Sequence, residues 1–228
     1  MGYNGGTVVE EAAYEGTIVE EDGGSILTTI MVLNARCLLE GTDRKFKDFC
    51  KFVKRIEPKP DIIVVHEVNG FSGETNIRKK ITGALKIYGV VYSQRLKQHE
   101  TVARAGGGIM CLFKKKLFSV ITVGPPEGLD TTLLDGYVRT FCLFRRQYPG
   151  VLPLIVMVAY IPPPNKGNKE VRKQGLNVIM EMVEHVRRIW PGSKRVVVAH
   201  VNAPDGCQML RTKLEDVIPT RHVAALPL

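Results

Sequence analysis

Runs of uniformly apolar residues, each about as long as one β-strand, constrain the fold of this chain more than any other feature. Strands of this kind are covered on both faces, because a strand with one exposed face alternates apolar and polar residues. The runs lie within residues 26–33, 61–67, 152–160 and 195–201, where polar residues stand mostly at the ends. They predict a layered protein with packed sheets at its centre.

Three stretches have the periodicity of amphipathic helices. The first begins near Thr42–Asp43, the second covers residues 74–89, and the third and longest covers residues 168–190. The apolar face of the first contains Phe46, Phe49, Val53 and Ile56. The apolar stripe of the third contains Val171, Leu176, Ile179, Met182, Val183, Val186 and Ile189.

Two pairs of strand-like stretches are each separated by a short turn. Residues 109–113 and 117–123 flank three lysines and are predicted to form a hairpin. Residues 138–145 and 152–160 flank "RRQYPG" and predict a second strand–turn–strand unit. Short apolar strands with few helices favour an α/β fold of two packed sheets with the helices outside, rather than one doubly wound sheet.

Charge is distributed unevenly along the chain. The sequence has 32 Lys and Arg against 23 Asp and Glu, a net charge of +9. Six of the acids lie in residues 1–25, which contain no Lys or Arg, so the body has 17 acids and a net charge of +15. A basic body favours RNA or DNA as a partner, and a basic surface also promotes solubility. Candidate backbone contacts are Lys114, Lys115, Lys116, Arg145, Arg146, Lys169, Arg172 and Lys173, with Lys166 beside them.

The acidic segment contains a short repeat, "GTVVEE" at 6–11 and "GTIVEE" at 16–21. Two interpretations remain open: a disordered acidic leader, or an extended arm or hairpin that pairs with a partner or with the basic body. The sequence thus predicts an acidic arm at 1–25, an α/β domain at 26–206 and a C-terminal tail at 207–228.

Cysteine usage and hydropathy bound the cellular setting. The five cysteines, at positions 37, 50, 111, 142 and 207, include no CxxC pair, which favours free thiols in a reducing intracellular compartment. The longest apolar run, 151–161, contains a proline and is too short to span a bilayer. We therefore expect no membrane insertion, and the organelle stays open.

Polar residues follow several apolar strands, where α/β proteins usually build their sites. These residues are Asn34, Glu67, Tyr160, His200 and Asn202. Taken singly, each can also simply end its strand. Their order along the chain is more informative about function than any one of them.

That order resembles the endonuclease/exonuclease/phosphatase superfamily and, within it, the apurinic-type endonuclease domains of non-LTR retrotransposons. The family reads "WN-x-R-G", "PD-I-x-x-x-QE", "Y-x-PP" and "GDFNA", where this chain has "LNARC", "PDIIVVHE", "YIPP" and "AHVNA". The resemblance covers residues 26–206 and implies a two-sheet α/β sandwich of the DNase I-like type.

The resemblance also implies a role for each strand-end residue. Asn34 and Glu67 would lie on the metal side, with Glu67 binding Mg²⁺. Tyr160 would contact the scissile phosphate, and Asn202 would help to hold it. His200 stands where the family has the aspartate that orients or deprotonates the attacking water.

The chain departs from the family pattern in two places. His200 brings no carboxylate, and Ala199 replaces a glycine beside it. The 26 residues after Asn202 contain no Ser-Asp-His, since His222 follows Arg221. The resemblance therefore implies a degenerate, C-terminally truncated domain whose second sheet is incomplete.

A rebuilt zinc site containing His66, Glu67 and His200 is disfavoured. Alternation along a strand places His66 and Glu67 on opposite faces. Two inward ligands are fewer than the three of a catalytic zinc site.

Three functions follow from these observations. The favoured one is a catalytically inactive nuclease-fold domain without a cofactor, retained as an RNA- or DNA-binding or structural subunit of a larger assembly such as a ribonucleoprotein. Protein subunits would then cover its second sheet. The alternative is an active Mg²⁺-dependent endonuclease whose missing residues come from a longer chain or another subunit. A phosphatase of the same superfamily is the third.

Overall fold

The computed structural model describes residues 17–21, 26–35, 38, 43–68, 74–93, 108–130, 137–161, 169–201 and 223–225. Ten strands and three helices lie within these residues. In chain order they are β1 (Thr17–Glu21), β2 (Ile26–Asn34), α1 (Asp43–Arg55), β3 (Ile62–His66), α2 (Glu74–Ala84), β4 (Tyr88–Ser93), β5 (Ile109–Lys114), β6 (Phe118–Val123), β7 (Val138–Arg145), β8 (Leu154–Ile161), α3 (Lys169–Ile189), β9 (Arg195–Val201) and β10 (Val223–Ala225).

The strands form two sheets of five. The first has the order β1-β2-β3-β5-β4, and the second has the order β10-β9-β8-β7-β6. Each sheet contains a parallel pair joined by a helix, namely β2 and β3 through α1, and β8 and β9 through α3. The predicted two-sheet α/β sandwich is confirmed.

Alternating residues of each apolar strand enter different layers of the core. One set faces the opposite sheet, for example Ile30, Val64, Val156 and Val198. The intervening residues of the first sheet pack with α1 and α2, and those of the second sheet pack with α3. Strands β3, β5 and β8 are almost entirely apolar because both of their faces are covered, as the sequence predicted.

Hydrogen bonds between the sheets fix the relative direction of their strands. The Arg145 guanidinium donates to Thr28 Oγ1 at the start of β2. Arg139 Nε donates to Ser93 Oγ at the end of β4, at 2.6 Å. Strands β2, β3, β8 and β9 therefore all finish at one end of the sandwich, which we call the site end. The opposite end, formed by short turns, is the turn end.

The predicted hairpin across the three lysines is wrong. Strand β5 pairs with β3 and β4 in the first sheet, whereas β6 pairs with β7 in the second. The turn at 115–117 carries the chain across the sandwich, so the two strands lie in different sheets. Local sequence resembles a hairpin because both strands are apolar and the turn between them is short.

The predicted second helix extends too far. Helix α2 ends at Ala84, and Tyr88 begins β4, which pairs antiparallel with β5. Gly89 suits this strand because a Cβ there would come within 2.5 Å of the Phe113 ring. The other two helices agree with the prediction, and so does the antiparallel pair of β7 and β8.

Both predicted terminal segments contribute a strand. The second copy of the acidic repeat forms β1, which pairs antiparallel with β2, and the first copy lies outside the described residues. Strand β10, from the predicted tail, pairs with β9. The division into arm, domain and tail stays a prediction, as does an incomplete second sheet. None of the helices in the described ranges has the length and apolar character needed to cross a membrane.

Candidate functional site

Asn34 and Glu67 meet at the site end of the first sheet. Strands β2 and β3 are parallel neighbours, and Asn34 lies opposite His66 in their register. Asn34 Nδ2 donates a hydrogen bond of 3.2 Å to Glu67 Oε1. The backbone N–H of Ala35 donates to the His66 carbonyl, which holds the two strand ends together.

Glu67 reaches Asn34 because its backbone leaves the strand conformation. The backbone φ of Glu67 is +52°, in the left-handed region that residues other than glycine rarely adopt. Regular alternation would turn Glu67 toward the helices, together with Ile63 and Val65. The left-handed turn breaks that alternation and directs the carboxylate to Asn34. Such strain costs about 1–2 kcal/mol and often occurs at functional sites.

The predicted alternation is therefore wrong for Glu67, because the regular strand ends at His66. His66 itself is fully buried. Two residues later, the Val68 N–H donates a hydrogen bond to the Gly108 carbonyl. No group of three or more His, Cys, Asp and Glu side chains is arranged to hold a metal ion among the residues that the structure describes.

Tyr160 and His200 lie at the site end of the second sheet. Strands β8 and β9 are parallel there, with Tyr160 opposite His200 in the register. The Tyr160 ring is buried and stacks on Tyr137, with 6.1 Å between ring centroids. Tyr137 is not predicted from the sequence; it precedes β7, and its carbonyl accepts a hydrogen bond from the Tyr160 N–H. Asn202 lies outside the described residues.

The residues available to Mg²⁺ can be tested by their chemistry. Glu67 is a partly buried carboxylate, and Asn34 adds an amide group beside it. Mg²⁺ prefers oxygen ligands and is often bound by one or two carboxylates together with substrate phosphates. The pair therefore fits part of a magnesium site, with Glu67 as its one charged ligand.

Two of the predicted nucleic-acid contacts are engaged inside the protein. Lys114 Nζ donates to the Asp61 carboxylate at 2.8 Å and to the Lys59 carbonyl at 2.7 Å. Arg145 is buried, with its guanidinium 5.2 Å from the centroid of the Phe118 ring. Both side chains join parts of the fold at the turn end.

The remaining predicted contacts lie at opposite ends of the molecule. Lys115, Lys116 and Arg146 are exposed at the turn end. Helix α3 follows β8 and therefore begins at the site end, where Lys173 is exposed and Arg172 is partly buried. The Lys169 side chain lies outside the described part of the structure. Binding by all of these residues stays a prediction.

The described cysteines are free, buried thiols. Burial raises the pKa of Cys50 and Cys142 to about 11 and that of Cys111 to about 12. A thiol must ionise to act as a nucleophile or metal ligand. These three residues are therefore core residues rather than members of a reactive site.

Comparison with known proteins identifies the fold. No protein-family model and no curated protein matches the chain, but solved structures do. An endonuclease/exonuclease/phosphatase from Bacteroides vulgatus is similar, with a TM-score of 0.53, 14% identity, and coverage of 79% of this chain and 69% of that one. The chain therefore shares its two-sheet α/β fold with this endonuclease/exonuclease/phosphatase.

Two further structures share this fold. Truncated TDP2 from Caenorhabditis elegans has a TM-score of 0.50 and 18% identity, covering 77% of this chain and 62% of that one. ANGEL2, a 2′,3′-cyclic phosphatase solved with adenosine-2′,3′-vanadate, has a TM-score of 0.51 and 20% identity, covering 75% and 47%. The chain thus spans between about half and two thirds of the length of these two structures.

Proposed function

We propose that this chain is a nuclease-fold domain that has lost catalysis and binds a nucleic-acid backbone, most naturally RNA, as a subunit of a larger assembly. Its four motif matches also support descent from the endonuclease domain of a non-LTR retrotransposon. One observation carries the proposal: strand β9 has His200 where the resembled family has its working aspartate, beside Tyr160 in the register.

An imidazole does not replace that carboxylate in metal-dependent phosphodiester chemistry. A carboxylate adds negative charge next to the metal and accepts a proton, whereas a neutral imidazole adds no charge and prefers softer metals. Without that aspartate, Glu67 is the one charged metal ligand in the pair formed by Asn34 and Glu67. Loss of a positioned general base alone lowers a rate by about 10²–10⁴-fold.

Two observations support binding to a nucleic-acid backbone: the net charge of the body and the position of Lys173. The body of the chain has a net charge of +15 beyond residue 25, and helix α3 brings Lys173 to the site end. Neutralisation of phosphates by Lys and Arg releases counterions, so it gives affinity without any catalytic group. Asn34 and Tyr160 also match the residues that the resembled family has on the metal side and at the scissile phosphate.

Binding is tested by fluorescence anisotropy with a labelled single-stranded RNA and a labelled DNA duplex over a range of salt concentrations. We expect affinity to fall with salt, and Lys173→Gln to reduce the slope of log K against log salt by about 0.7–0.9. Lys79→Gln, an exposed lysine in the middle of α2, is the matched control. Binding that ignores salt, or an equal effect of both variants, would contradict the proposal.

The alternative function is an active Mg²⁺-dependent endonuclease, favoured by the strained backbone of Glu67 and its contact with Asn34. Glu67 would hold the ion, which would supply Lewis-acid stabilisation of the phosphate. A ligand that binds only the folded state raises its stability. If this alternative holds, millimolar Mg²⁺ raises the melting temperature of the wild type and leaves Glu67→Gln unchanged. Our proposal predicts the same small response in both.

A further inference from the structure

The turns at the turn end are linked into one continuous surface. The Lys115 N–H donates to the Ile87 carbonyl at 3.0 Å, and the Arg146 N–H donates to the Leu117 carbonyl at 2.9 Å. Leu152 Cδ1 lies over Gly192, 3.2 Å from where a Cβ would be. We call this the turn-end surface; it consists of the last turn of α1 with residues 85–87, 115–117, 146–153 and 187–194.

Exposed apolar side chains are concentrated on this surface. Ile87 and Leu152 are 49% and 50% exposed. Of the seven large hydrophobic side chains that are exposed among the described residues, six lie here and only Ile121 lies elsewhere. The six are Phe52, Ile87, Tyr148, Val151, Leu152 and Ile189. Exposed apolar side chains that are concentrated at one end of a protein are candidates for an interaction surface.

The same surface is strongly basic. Its exposed cationic side chains are Lys54, Arg55, Lys86, Lys115, Lys116, Arg146, Arg187 and Arg188. Carboxylates at this end already contact cations. Asp61 contacts Lys114 at 2.8 Å, and Glu184 contacts Arg187 at 3.5 Å. The charge left on the surface is therefore positive.

A groove of about 350 Å³ opens on this surface between the ends of α1 and α2 and the start of β4. Its apolar lining consists of Val53, Ala84, Leu85, Ile87 and Tyr88. Three lysines also line it. Lys59 already contacts the Glu57 carboxylate, whereas Lys54 and Lys86 are exposed. The groove combines space for an apolar side chain with two cations that attract a neighbouring carboxylate.

We propose that the turn-end surface binds an acidic protein segment with apolar side chains. One apolar side chain would fill the groove, others would pack on Ile87 and Leu152, and acidic residues would face Lys86, Lys115 and Lys116. Buried apolar anchors with a complementary charged rim are the usual anatomy of such interfaces.

Two other ligand classes fit this surface less well. Single-stranded nucleic acid binds through aromatic side chains on which bases stack, but four of the six exposed apolar residues are aliphatic. An anionic membrane is flat and leaves a concave groove unfilled. The inference does not depend on the proposed function, because the surface lies at the opposite end of the sandwich, about 20–25 Å away along strands of six to eight residues.

The test is a selection of random displayed peptides against the full chain, followed by anisotropy with the selected peptides. An apolar variant contains Ile87→Ser and Leu152→Ser. A charge variant contains Lys86→Glu, Lys115→Glu and Lys116→Glu. A control with the same change in net charge contains Lys45→Glu, Lys47→Glu and Lys79→Glu, which lie outside the turn-end surface. Thermal melts verify that each variant is folded.

We expect selected peptides rich in Asp, Glu and apolar residues. Both surface variants should weaken their binding by about tenfold or more, and the control by about twofold or less. Equal binding to wild type and both surface variants would overturn the inference. So would peptides whose binding only the charge variant weakens, or RNA or phosphatidylserine vesicles that bind this surface while no peptide does.

Discussion

The two ends of the sandwich treat their polar residues differently, although both draw on the single stretch "PDIIVVHE". At the turn end, Asp61 accepts hydrogen bonds from the Thr29 N–H, the Thr29 hydroxyl and Lys114 Nζ. At the site end, about 20 Å along the strand, Glu67 accepts from Asn34 and has a left-handed backbone. The first half of the motif thus builds the fold, and the second half builds the site. A chain can therefore keep the residues that build the fold after the site has lost its catalytic chemistry.

The largest effect that separates the two ends is expected from Asp61→Ala. The change removes three hydrogen bonds and leaves the partly buried Lys114 ammonium without its carboxylate. We expect the free energy of unfolding to fall by about 3 kcal/mol, measured by urea denaturation. The control Asp48→Ala removes exposed ion pairs on α1 and should cost less than about 1 kcal/mol. Similar losses in both variants would contradict the assigned role of Asp61.

The strain at Glu67 predicts an unusual ranking of two substitutions. Glu67→Gly relieves a positive φ worth about 1–2 kcal/mol while losing one hydrogen bond worth about 1 kcal/mol. Glu67→Ala loses the bond and keeps the strain. We expect the glycine variant to be more stable than the alanine variant by about 1 kcal/mol in urea denaturation. The opposite ranking, normal for a regular strand, would show that Glu67 is unstrained.

Alkaline pH tests the core between the two ends. Burial raises the pKa of Cys111 from 9.0 to about 12, and that of Tyr92 from 10.0 to about 12. The unfolded chain therefore loses these protons first, so stability is full below about pH 9 and declines as pH rises toward 12. Urea midpoints should fall between about pH 9 and 10, by less in Cys111→Ala. A midpoint that is constant over this range would contradict the burial of these groups.

Much of the fold is predictable from local patterns. The uniformly apolar strands and the stripes of α1 and α3 follow from the residues themselves, because burial on one or two faces sets their periodicity. Strand β4 is not predicted because its first residues continue the pattern of helix α2. Its partner β5 lies further along the chain, so local sequence does not reveal the pairing. The chain crossing after Lys114 is likewise decided by partners remote in sequence.

The site is predictable only in part. The order of Asn34, Glu67, Tyr160 and His200 brings together strand ends that the structure does pair within each sheet. The left-handed backbone of Glu67 and the stacking of Tyr137 on Tyr160 depend on tertiary packing, and no spacing rule gives them. Residue type, rather than geometry, signals the loss of chemistry, since His200 occupies an ordinary strand position.

Cleavage of DNA in the presence of Mg²⁺ decides whether this nuclease-fold domain is catalytically inactive. Supercoiled plasmid and a duplex with an abasic site are incubated with the full chain, with Glu67→Ala as control. For an inactive domain we expect cleavage no faster than in protein-free samples, for both proteins, under conditions in which anisotropy shows salt-dependent binding. Cleavage by the wild type that disappears in Glu67→Ala would show that the site is active and would contradict the account.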